Sequence, residues 1–306
     1  MISDTQTSRP QLRPRRILCF GETIAEDIGG ARLFSSAPFL TAAACALMGN
    51  DTVFFSRVGA DETGMEAIRI LEECGVDTSH VQRDATRPTG TAAGNDGAYA
   101  VAAGGAHGSI TADRSSCDKI ASQHFDVFCF ETLAQAFPDA AQALSALLHC
   151  VESQDVFYDC NLRGRYFNRA IFESSFHAAT IARLNEEEAH TVSMILFGRA
   201  MPLEQFAASI CKTFFVPLVC VRRADGGCVL CRAGRLEEVR TAEAAPKPRR
   251  PGIGAVYNAA FLSAYVNGRQ PRECAAIAAD FAAFTASQSA LIPRYPDSLL
   301  GRLRLL

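Results

Sequence analysis

Short apolar runs of strand length alternate along this sequence with longer segments in which apolar residues recur at a helical spacing. The first four are a strand at 16–21, a helix at 38–48, a strand at 51–58 and a helix at 62–74. Strands that alternate with helices form parallel sheets, because each crossover helix packs back on the sheet. The pattern therefore predicts an α/β fold in which helices sandwich one central, mostly parallel sheet. The same alternation continues with a strand at 127–130, a helix at 138–151, a strand at 156–159, a helix at 171–182, a strand at 217–222 and two helices at 255–267 and 271–289.

Two segments, about 26–36 and about 89–108, interrupt this alternation. Both are poor in large apolar residues, and the second is rich in glycine and alanine. They predict a small β lid, made of two excursions from the sheet edge, above the carboxyl ends of the parallel strands, where open α/β sheets bind ligands. The spacing leaves a pair of independent surface hairpins open as an alternative. Residues 1–15 are polar and predict a loose tail, so that residues 16–306 form the α/β domain.

The overall composition excludes several classes of partner. The 306 residues are 48% hydrophobic and 21% charged, with a net charge of −3, which is ordinary for a globular protein. Nucleic-acid binding requires a clustered basic surface, so no nucleic-acid partner is predicted. No stretch reaches the roughly 18 apolar residues of a membrane-spanning helix, and the polar N-terminal residues lack the apolar run of a secretory signal. We therefore expect a cytoplasmic protein that does not bind membranes.

Twelve cysteines are scattered singly through apolar segments, which predicts buried, reduced thiols rather than disulfides. Cys228 and Cys231 form the only C-x-x-C pair, in a run that has the pattern of a strand. A zinc site would need a second pair of Cys or His residues nearby in the sequence, and this region has none. No metal site is predicted.

Two glycines, Gly252 and Gly254, open a helix rich in alanine that begins near Ala255. Backbone N–H groups at such a turn, together with the positive end of the helix dipole, bind anions without help from a side chain. Glycines also occur at such turns for conformational reasons alone, so the pattern by itself is weak. A dinucleotide-binding G-x-G-x-x-G motif is excluded because its third glycine position is Tyr257 and no apolar strand precedes it.

Six landmarks in register resemble the ribokinase/PfkB family of carbohydrate kinases, and the resemblance runs from about residue 17 to about residue 289. The first follows the first strand, and the second resembles the family's G-x-x-G-x-D-x-x-G signature. The landmarks are Gly21-Glu22, residues 57–64, Glu72-x-x-Gly75-Val76-Asp77, residues 87–90, Asp159-x-Asn161-x-Arg163 and Asn185-Glu186-x-Glu188.

The resemblance implies a ribokinase-like fold and phosphoryl transfer from ATP to a sugar hydroxyl. In that family the lid closes over the sugar, and ATP and Mg²⁺ serve the active enzymes. A sugar or sugar phosphate is then the expected small-molecule partner. The implied substrate-binding residues are Glu26 or Asp27, Asp159 and Arg163. The implied nucleotide-binding residues are Asn185, Glu188, Arg222, Gly226 and Gly227.

The second signature of the family, usually D-T-x-G-A-G-D, is altered in this chain. Its glycine-flanked backbone forms an anion hole, here Gly252 and Gly254, and its final Asp takes the proton of the attacking hydroxyl. This chain has Ala255 at the position of that base, and Arg249 and Arg250 in place of Asp and Thr. A methyl group cannot accept a proton, and general-base assistance is commonly worth about 10²–10⁴-fold in rate.

Two further ligand positions depart from the family pattern. The sugar-binding pattern G-G-A-x-x-N is replaced by residues 35–40, in which Leu40 stands where the family has Asn. The nucleotide-binding pattern T-x-G begins with Arg222 instead of Thr. Several changes at one functional surface, beside intact landmarks, indicate a carbohydrate kinase homologue whose catalysis is impaired or lost.

Other interpretations remain open at this point. A shift of the alignment by a few residues would let Asp225 or Glu243 serve as the base. A non-catalytic protein could instead hold a phosphorylated ligand or a protein partner, with Arg249 and Arg250 binding the anion, although such a basic run is more often a solvated loop. The edge of the lid sheet could also pair two copies as a homodimer.

Overall fold

The computed structural model of the protein describes residues 14–28, 30–93, 99–240 and 251–304. In chain order the strands are β1 (Arg16–Phe20), β2 (Ile24–Ile28), β3 (Ala31–Phe34), β4 (Asp51–Gly59), β5 (Val81–Asp84), β6 (Gly90–Ala93), β7 (Ala100–Val101), β8 (His124–Glu131), β9 (Glu152–Asp159), β10 (Ile181–Asn185), β11 (Leu218–Arg222), β12 (Cys228–Arg232) and β13 (Arg235–Val239). The helices are α1 (Ala37–Leu47), α2 (Glu62–Glu73), α3 (Arg114–Ala121), α4 (Pro138–Cys150), α5 (Arg169–Ala178), α6 (Glu186–Phe197), α7 (Leu203–Phe214), α8 (Ile253–Val266), α9 (Pro271–Ser287) and α10 (Asp297–Leu300). Across these four ranges, no helix has both the length and the apolar character needed to cross a bilayer.

A large sheet in the described ranges has nine strands in the order β13-β12-β11-β10-β9-β8-β1-β4-β5. Neighbouring strands from β11 through β5 in this order run parallel, and the hairpin strands β12 and β13 add an antiparallel edge. The predicted mostly parallel sheet is thereby confirmed. All the parallel strands end at one edge of the sheet, so the side chains that follow them come close together.

The large sheet is covered by helices on both faces, as the alternation predicted. Side chains of β1 show the arrangement: Ile17 and Cys19 face one core, and Leu18 and Phe20 face the other. The first core is shared with α1, α2, α8 and α9, and the second with α3 to α7. Strands buried on both faces need continuous apolar runs, which explains why these segments carry so few polar residues.

A small sheet forms the lid in the order β3-β2-β6-β7. Its strand β2 follows β1 after three residues, and β2 pairs in parallel with β6, with Ile24 opposite Gly90. The two excursions therefore form one sheet, which confirms the predicted lid and rules out independent hairpins. The lid is tied directly to the first strand of the large sheet.

The carboxyl end of one predicted helix was wrong. The helix predicted at 171–182 ends at Ala178, and the chain then enters strand β10, Ile181–Asn185. Strand β10 pairs with β9 on one side and β11 on the other, so tertiary pairing overrides a local pattern that contains helix-forming alanine. This strand carries the side chain of Arg183 into the interior.

The C-x-x-C pair lies on β12, where successive side chains point to opposite faces of the sheet. Cys228 is buried in the core that includes α8, and Cys231 is buried in the core that includes α7. One ion cannot contact both thiols across the sheet. The pair contributes to packing on two separate faces.

Candidate active site

A small cavity lies where the carboxyl ends of β1, β8 and β9 meet helices α1 and α8. Its volume is about 10 Å³, close to what one water molecule needs. Thr41, Glu131, Asp159 and Asn258 provide polar groups to its wall. The Thr41 hydroxyl and the Asn258 carbonyl oxygen are buried without a hydrogen-bond partner. Because buried polar atoms are nearly always paired, these two atoms are available to water or to a ligand.

The α8 turn, residues Gly252–Ala255, begins the helix beside this cavity. Gly252 has a φ of 88°, a left-handed conformation that glycine adopts without strain. No side chain caps α8, so the N–H groups of its first turn point outward without an intrahelical partner. This turn leaves backbone N–H groups of the kind that an anion hole needs, and anion binding at Gly252 and Gly254 stays a prediction.

Among the described residues, the side chains nearest Gly252 and Gly254 are those of Leu40 and Arg183. Ala255 is 2% exposed, and Leu40 lies 3.1 Å from where a Cβ on Gly252 would be. A Cβ on Gly254 would lie 3.7 Å and 3.8 Å from the two terminal nitrogens of Arg183. Arg183 therefore lies beside Gly254, the residue before Ala255, at whose position the family pattern has its proton acceptor.

Asp159, predicted to bind substrate, is 2% exposed and lies in the cavity wall. Its Oδ1 accepts a hydrogen bond of 3.0 Å from Arg183, and its Oδ2 accepts one of 2.6 Å from Asn258. Both oxygens are thus engaged by groups of the protein. Asp159 joins β9, β10 and α8, and as a charged partner of Arg183 it is poorly placed to accept a proton.

Asn185 and Glu188, predicted on the nucleotide side, form the capping box of α6. The Glu188 carboxylate accepts hydrogen bonds from the backbone N–H groups of Asn185, at 2.7 Å, and Leu162, at 3.2 Å. It also lies 4.0 Å from Arg183. Although burial lowers it, the charges of Asp159 and Glu188 keep the pKa of Arg183 above its usual value.

A second group of buried acids lies beneath the lid. Glu131 is 5% exposed and accepts a 2.6 Å hydrogen bond from Asn161. Burial raises the pKa of Glu131, and the charges of Asp159 and Glu22 raise it further. Burial also raises the pKa of Glu22 to about 7, against the opposing effects of its own backbone and of Arg163. One Glu22 oxygen, Oε2, has no hydrogen-bond partner.

The lid brings further polar groups towards these acids. Arg163 lies over the ring of Tyr99, with its guanidinium carbon 5.5 Å from the ring centroid. The Glu26 carboxylate is close enough to Tyr99 to raise its pKa, after the larger effect of burial. Asp27 is exposed and accepts a 2.9 Å hydrogen bond from the Gly30 N–H at the lid turn. Of the two predicted lid acids, Glu26 is the one beside the cleft.

Arg222 ends β11 and lies over Tyr257 of α8, with its guanidinium carbon 4.4 Å from the ring centroid. Gly226 and Gly227 lie in the turn between β11 and β12, where the Gly227 carbonyl accepts a hydrogen bond of 2.8 Å from Arg223. Asp225, considered as a substitute base, is exposed in this turn and accepts a 3.3 Å hydrogen bond from Gly227.

Arg249 and Arg250, predicted to bind an anion, lie outside the described residues. The substitute base Glu243 lies outside them as well. The described residues therefore bring together the α8 turn, Asp159 and the capping box of α6 at one edge of the sheet, with Arg163 and Glu26 beneath the lid.

Several residues of the site were not predicted from the sequence. Glu22 was recognised only as a landmark of the fold, and Glu131, Arg183, Tyr257 and Asn258 were not assigned roles. Glu131 and Arg183 could have been recognised because each is a charged residue at the end of, or inside, an apolar strand. A charged residue is seldom buried without a partner, so such a position indicates a polar site.

The sequence pattern of the family described as pfkB family carbohydrate kinase matches residues 41–297. Curated protein sequences give no match.

Solved structures that share the fold include three kinases. The fructokinase of Vibrio cholerae O395 in its fructose-, ADP- and calcium-bound form has a TM-score of 0.77 at 19% identity, covering 95% of this chain and 99% of that one. Aminoimidazole riboside kinase from Salmonella enterica, complexed with aminoimidazole riboside and an ATP analogue, has a TM-score of 0.75 at 15% identity, covering 94% and 100%. Fructokinase with bound ATP from Xylella fastidiosa has a TM-score of 0.74 at 18% identity, covering 94% and 98%.

Proposed function

Because the chain belongs to the pfkB family of carbohydrate kinases, we propose that it binds a sugar-class ligand beneath its lid and transfers a phosphoryl group slowly or not at all. The observation that carries this proposal is Ala255, the third residue of α8, at the position of the family's proton acceptor. The sugar or riboside and the adenine nucleotides bound by the similar kinases support a hydroxyl acceptor and ATP as donor.

Phosphoryl transfer to a hydroxyl requires an acceptor for the hydroxyl proton and compensation of the charge on the phosphoryl oxygens. The N–H groups and the helix dipole at the α8 turn can compensate the charge on the phosphoryl oxygens. Ala255, however, cannot accept the proton of the hydroxyl. Arg183 is a cation, and Asp159 and Glu188 already accept hydrogen bonds at both carboxylate oxygens.

Ligand binding is better supported than transfer. The free Oε2 of Glu22, the carboxylate of Glu26 and the guanidinium of Arg163 offer acceptors and donors for sugar hydroxyls beneath the lid. Leu40 stands where the family pattern has Asn, so the side-chain amide of that Asn is missing here. A lid that covers a bound ligand would exclude water from this space and so strengthen each polar contact made there.

The residues of this site suit the phosphates of ATP better than they suit Mg²⁺. The α8 turn, with Arg183 beside it, suits a phosphate group. On the nucleotide side, Glu188 uses both carboxylate oxygens to bind backbone N–H groups. Mg²⁺ is usually held by one or two carboxylates together with substrate phosphates, so here an ion would depend mainly on the phosphates of the nucleotide.

The test is ATP consumption with hexoses, pentoses and sugar acids, measured for the wild type, Ala255→Asp and Ala255→Asn. We expect Ala255→Asp to exceed the wild type by about 10²–10⁴-fold with at least one sugar, since a carboxylate can accept the proton. Ala255→Asn is the matched control, because it has nearly the same shape but cannot act as a base. A wild-type rate that Ala255→Asp does not raise would contradict the proposal.

A further inference from the structure

Three of the twelve cysteines are within reach of solvent. Cys74, Cys117 and Cys150 are partly exposed, and the other nine are buried. The buried thiols lie inside the two cores of the large sheet. A thiol must be accessible in order to react with an oxidant. Any reaction of the folded chain with an external oxidant therefore begins at one of the three partly exposed cysteines.

Two of these three thiols contact each other. Cys117 lies on α3, Cys150 is the last residue of α4, and the two helices pack together. The thiols of Cys117 and Cys150 are in hydrogen-bonding contact. Cys74, which follows α2, lies instead near the charges of Glu73 and Arg294. Because a disulfide joins sulfur atoms about 2.05 Å apart, thiols that already touch need only a small movement to form one.

Helix α3 is weakly held in the fold. It has 8 residues, of which Ile120 is buried. The hydrogen bond that caps it, from the Ser116 N–H to Asp113, is exposed. Helix α4, by contrast, has 13 residues and buries four of them. Segments with few buried apolar contacts and exposed hydrogen bonds open locally at low cost, so α3 can move enough to let the two sulfur atoms react.

The surroundings of the two thiols set the order of the reaction. Burial, together with the contact to Cys117, raises the pKa of Cys150 to about 11. Cys150 therefore stays protonated near neutral pH. Since the thiolate is the attacking form in thiol–disulfide exchange, the first attack on an external disulfide falls to Cys117, and Cys150 reacts second.

We propose that Cys117 and Cys150 form a reversible disulfide that fastens α3 to α4, with a small disulfide such as oxidised glutathione as the oxidant. Cys117 attacks one glutathione sulfur and releases the first glutathione. Cys150 then attacks the Cys117 sulfur and releases the second. The two protein thiols are oxidised, and the two glutathione thiols that form take up their protons and electrons.

The inference does not rest on the proposed function. Neither cysteine lines the cavity between β1, β8, β9, α1 and α8, and the exchange involves no nucleotide or sugar. The stability of the folded chain would instead depend on the ratio of small disulfides to thiols around it.

The experiment is incubation of the full chain with oxidised glutathione, followed by alkylation of the remaining thiols and peptide mapping by mass spectrometry. Thermal unfolding is measured for the oxidised and the reduced forms. The variants are Cys117→Ser and Cys150→Ser. Cys74→Ser is the matched control, because it removes the third partly exposed thiol. Thermal unfolding in dithiothreitol verifies that each variant is folded.

We expect the wild type and Cys74→Ser to yield a peptide in which Cys117 is linked to Cys150. The midpoint of thermal unfolding should rise by about 5 °C, because the cross-link restricts the unfolded chain, and dithiothreitol should reverse the rise. Cys117→Ser should yield no linked peptide. Cys150→Ser should retain glutathione on Cys117, because the second exchange cannot follow.

A folded wild type that yields only glutathione adducts, or no oxidised cysteine, would overturn the inference. A link between Cys117 and Cys150 that forms in urea but not in the folded chain would overturn it as well. A linked peptide in the folded chain without any rise in the midpoint would contradict the claim that the bond fastens α3 to α4.

Discussion

The lid joint, which we define as Gly59, Asp61, Gly64 and Thr89, differs instructively from the α8 turn. Both resemble sequence signatures of the family: the lid joint keeps Gly59, Asp61 and Gly64 of its signature, with Ser56 at the first glycine position, whereas the α8 turn has Ala255 in place of the final Asp. Asp61 caps α2 by accepting a 2.8 Å hydrogen bond from the Gly64 N–H. The same carboxylate accepts bonds of 2.7 Å and 2.6 Å from the backbone and hydroxyl of Thr89.

The two regions differ in what their side chains contact. At the lid joint the chain contacts itself so closely that a Cβ on Gly64 would lie 2.2 Å from the Gly59 carbonyl oxygen. At the α8 turn, a Cβ on Gly254 would meet only Arg183, at ordinary contact distance. A residue that binds its own chain cannot change without loss of stability, whereas one that faces a ligand can change while the fold remains.

The largest effect should come from the lid joint. Asp61→Ala removes the cap of α2 and leaves the buried Thr89 N–H unpaired, which should cost about 4 kcal/mol in the free energy of unfolding. Urea denaturation measures the loss. The control is Asp113→Ala, because Asp113 caps α3 through a single exposed hydrogen bond and should cost much less. Similar losses for both variants would remove the distinction between the lid joint and an ordinary cap.

The base of the lid should also make stability depend on pH. His107 is 1% exposed, packs against Gly90 and Gly105, and lies edge-on to Phe137. Burial lowers its pKa from 6.5 to about 4. The folded protein therefore keeps this imidazole neutral while the unfolded chain takes up a proton. The low pKa of His107 therefore contributes up to about 3 kcal/mol to the free energy of unfolding. This contribution is fully present above pH 6.5 and is lost as the pH falls towards 4.

Urea denaturation between pH 6.5 and pH 4 tests this dependence. His107→Leu cannot be protonated at this position, so its free energy of unfolding should fall less steeply over the same range. Other groups titrate in both proteins, so the quantity to compare is the difference between the two pH profiles. Parallel profiles would show that His107 does not couple lid packing to pH.

The smallest effect should come from the α8 turn. Ala255→Asp buries a carboxylate at the positive end of α8, close to Gly254 and its neighbour Arg183, and these positive charges should offset part of the cost in the free energy of unfolding. Ala259→Asp is the matched control one turn further along the same helix, where Ala259 is fully buried and an unpaired charge should be strongly destabilising. Thermal unfolding of both variants gives the comparison. Equal losses of stability in the two variants would mean that the α8 turn tolerates a carboxylate no better than the core does.

Most of the fold could be predicted from the sequence because its signals are local. The alternation of apolar runs predicted the parallel sheet, and two segments poor in large apolar residues predicted the lid. Strand β10 was missed because Ile181–Asn185 is short and contains alanine and arginine. Its extended form depends on pairing with strands on both sides, which no window of the sequence displays.

The site was predictable only where its residues are contiguous. The α8 turn and the missing base at Ala255 could be read from one segment. Glu131 of β8 and Asn258 of α8 are brought to one cavity only in the folded chain, and Arg183 of β10 binds Asp159 in the wall of that cavity. The sequence likewise could not show that Asp159 is bound on both oxygens, because its partners lie on two other elements.

The order of strands in the large sheet has a consequence for how the chain folds during synthesis. Strands β8 to β13 lie side by side in the order in which they leave the ribosome, so each can pair with the one made before it. Strand β1 can pair early with β4 on one side, but its other side must wait for β8, and α1 must wait for α8, which packs on it. Contacts between distant segments form slowly. We therefore expect the unit of β1, α1 and β4 to join the rest of the sheet late, with the pairing of β1 to β8 and the docking of α8 on α1.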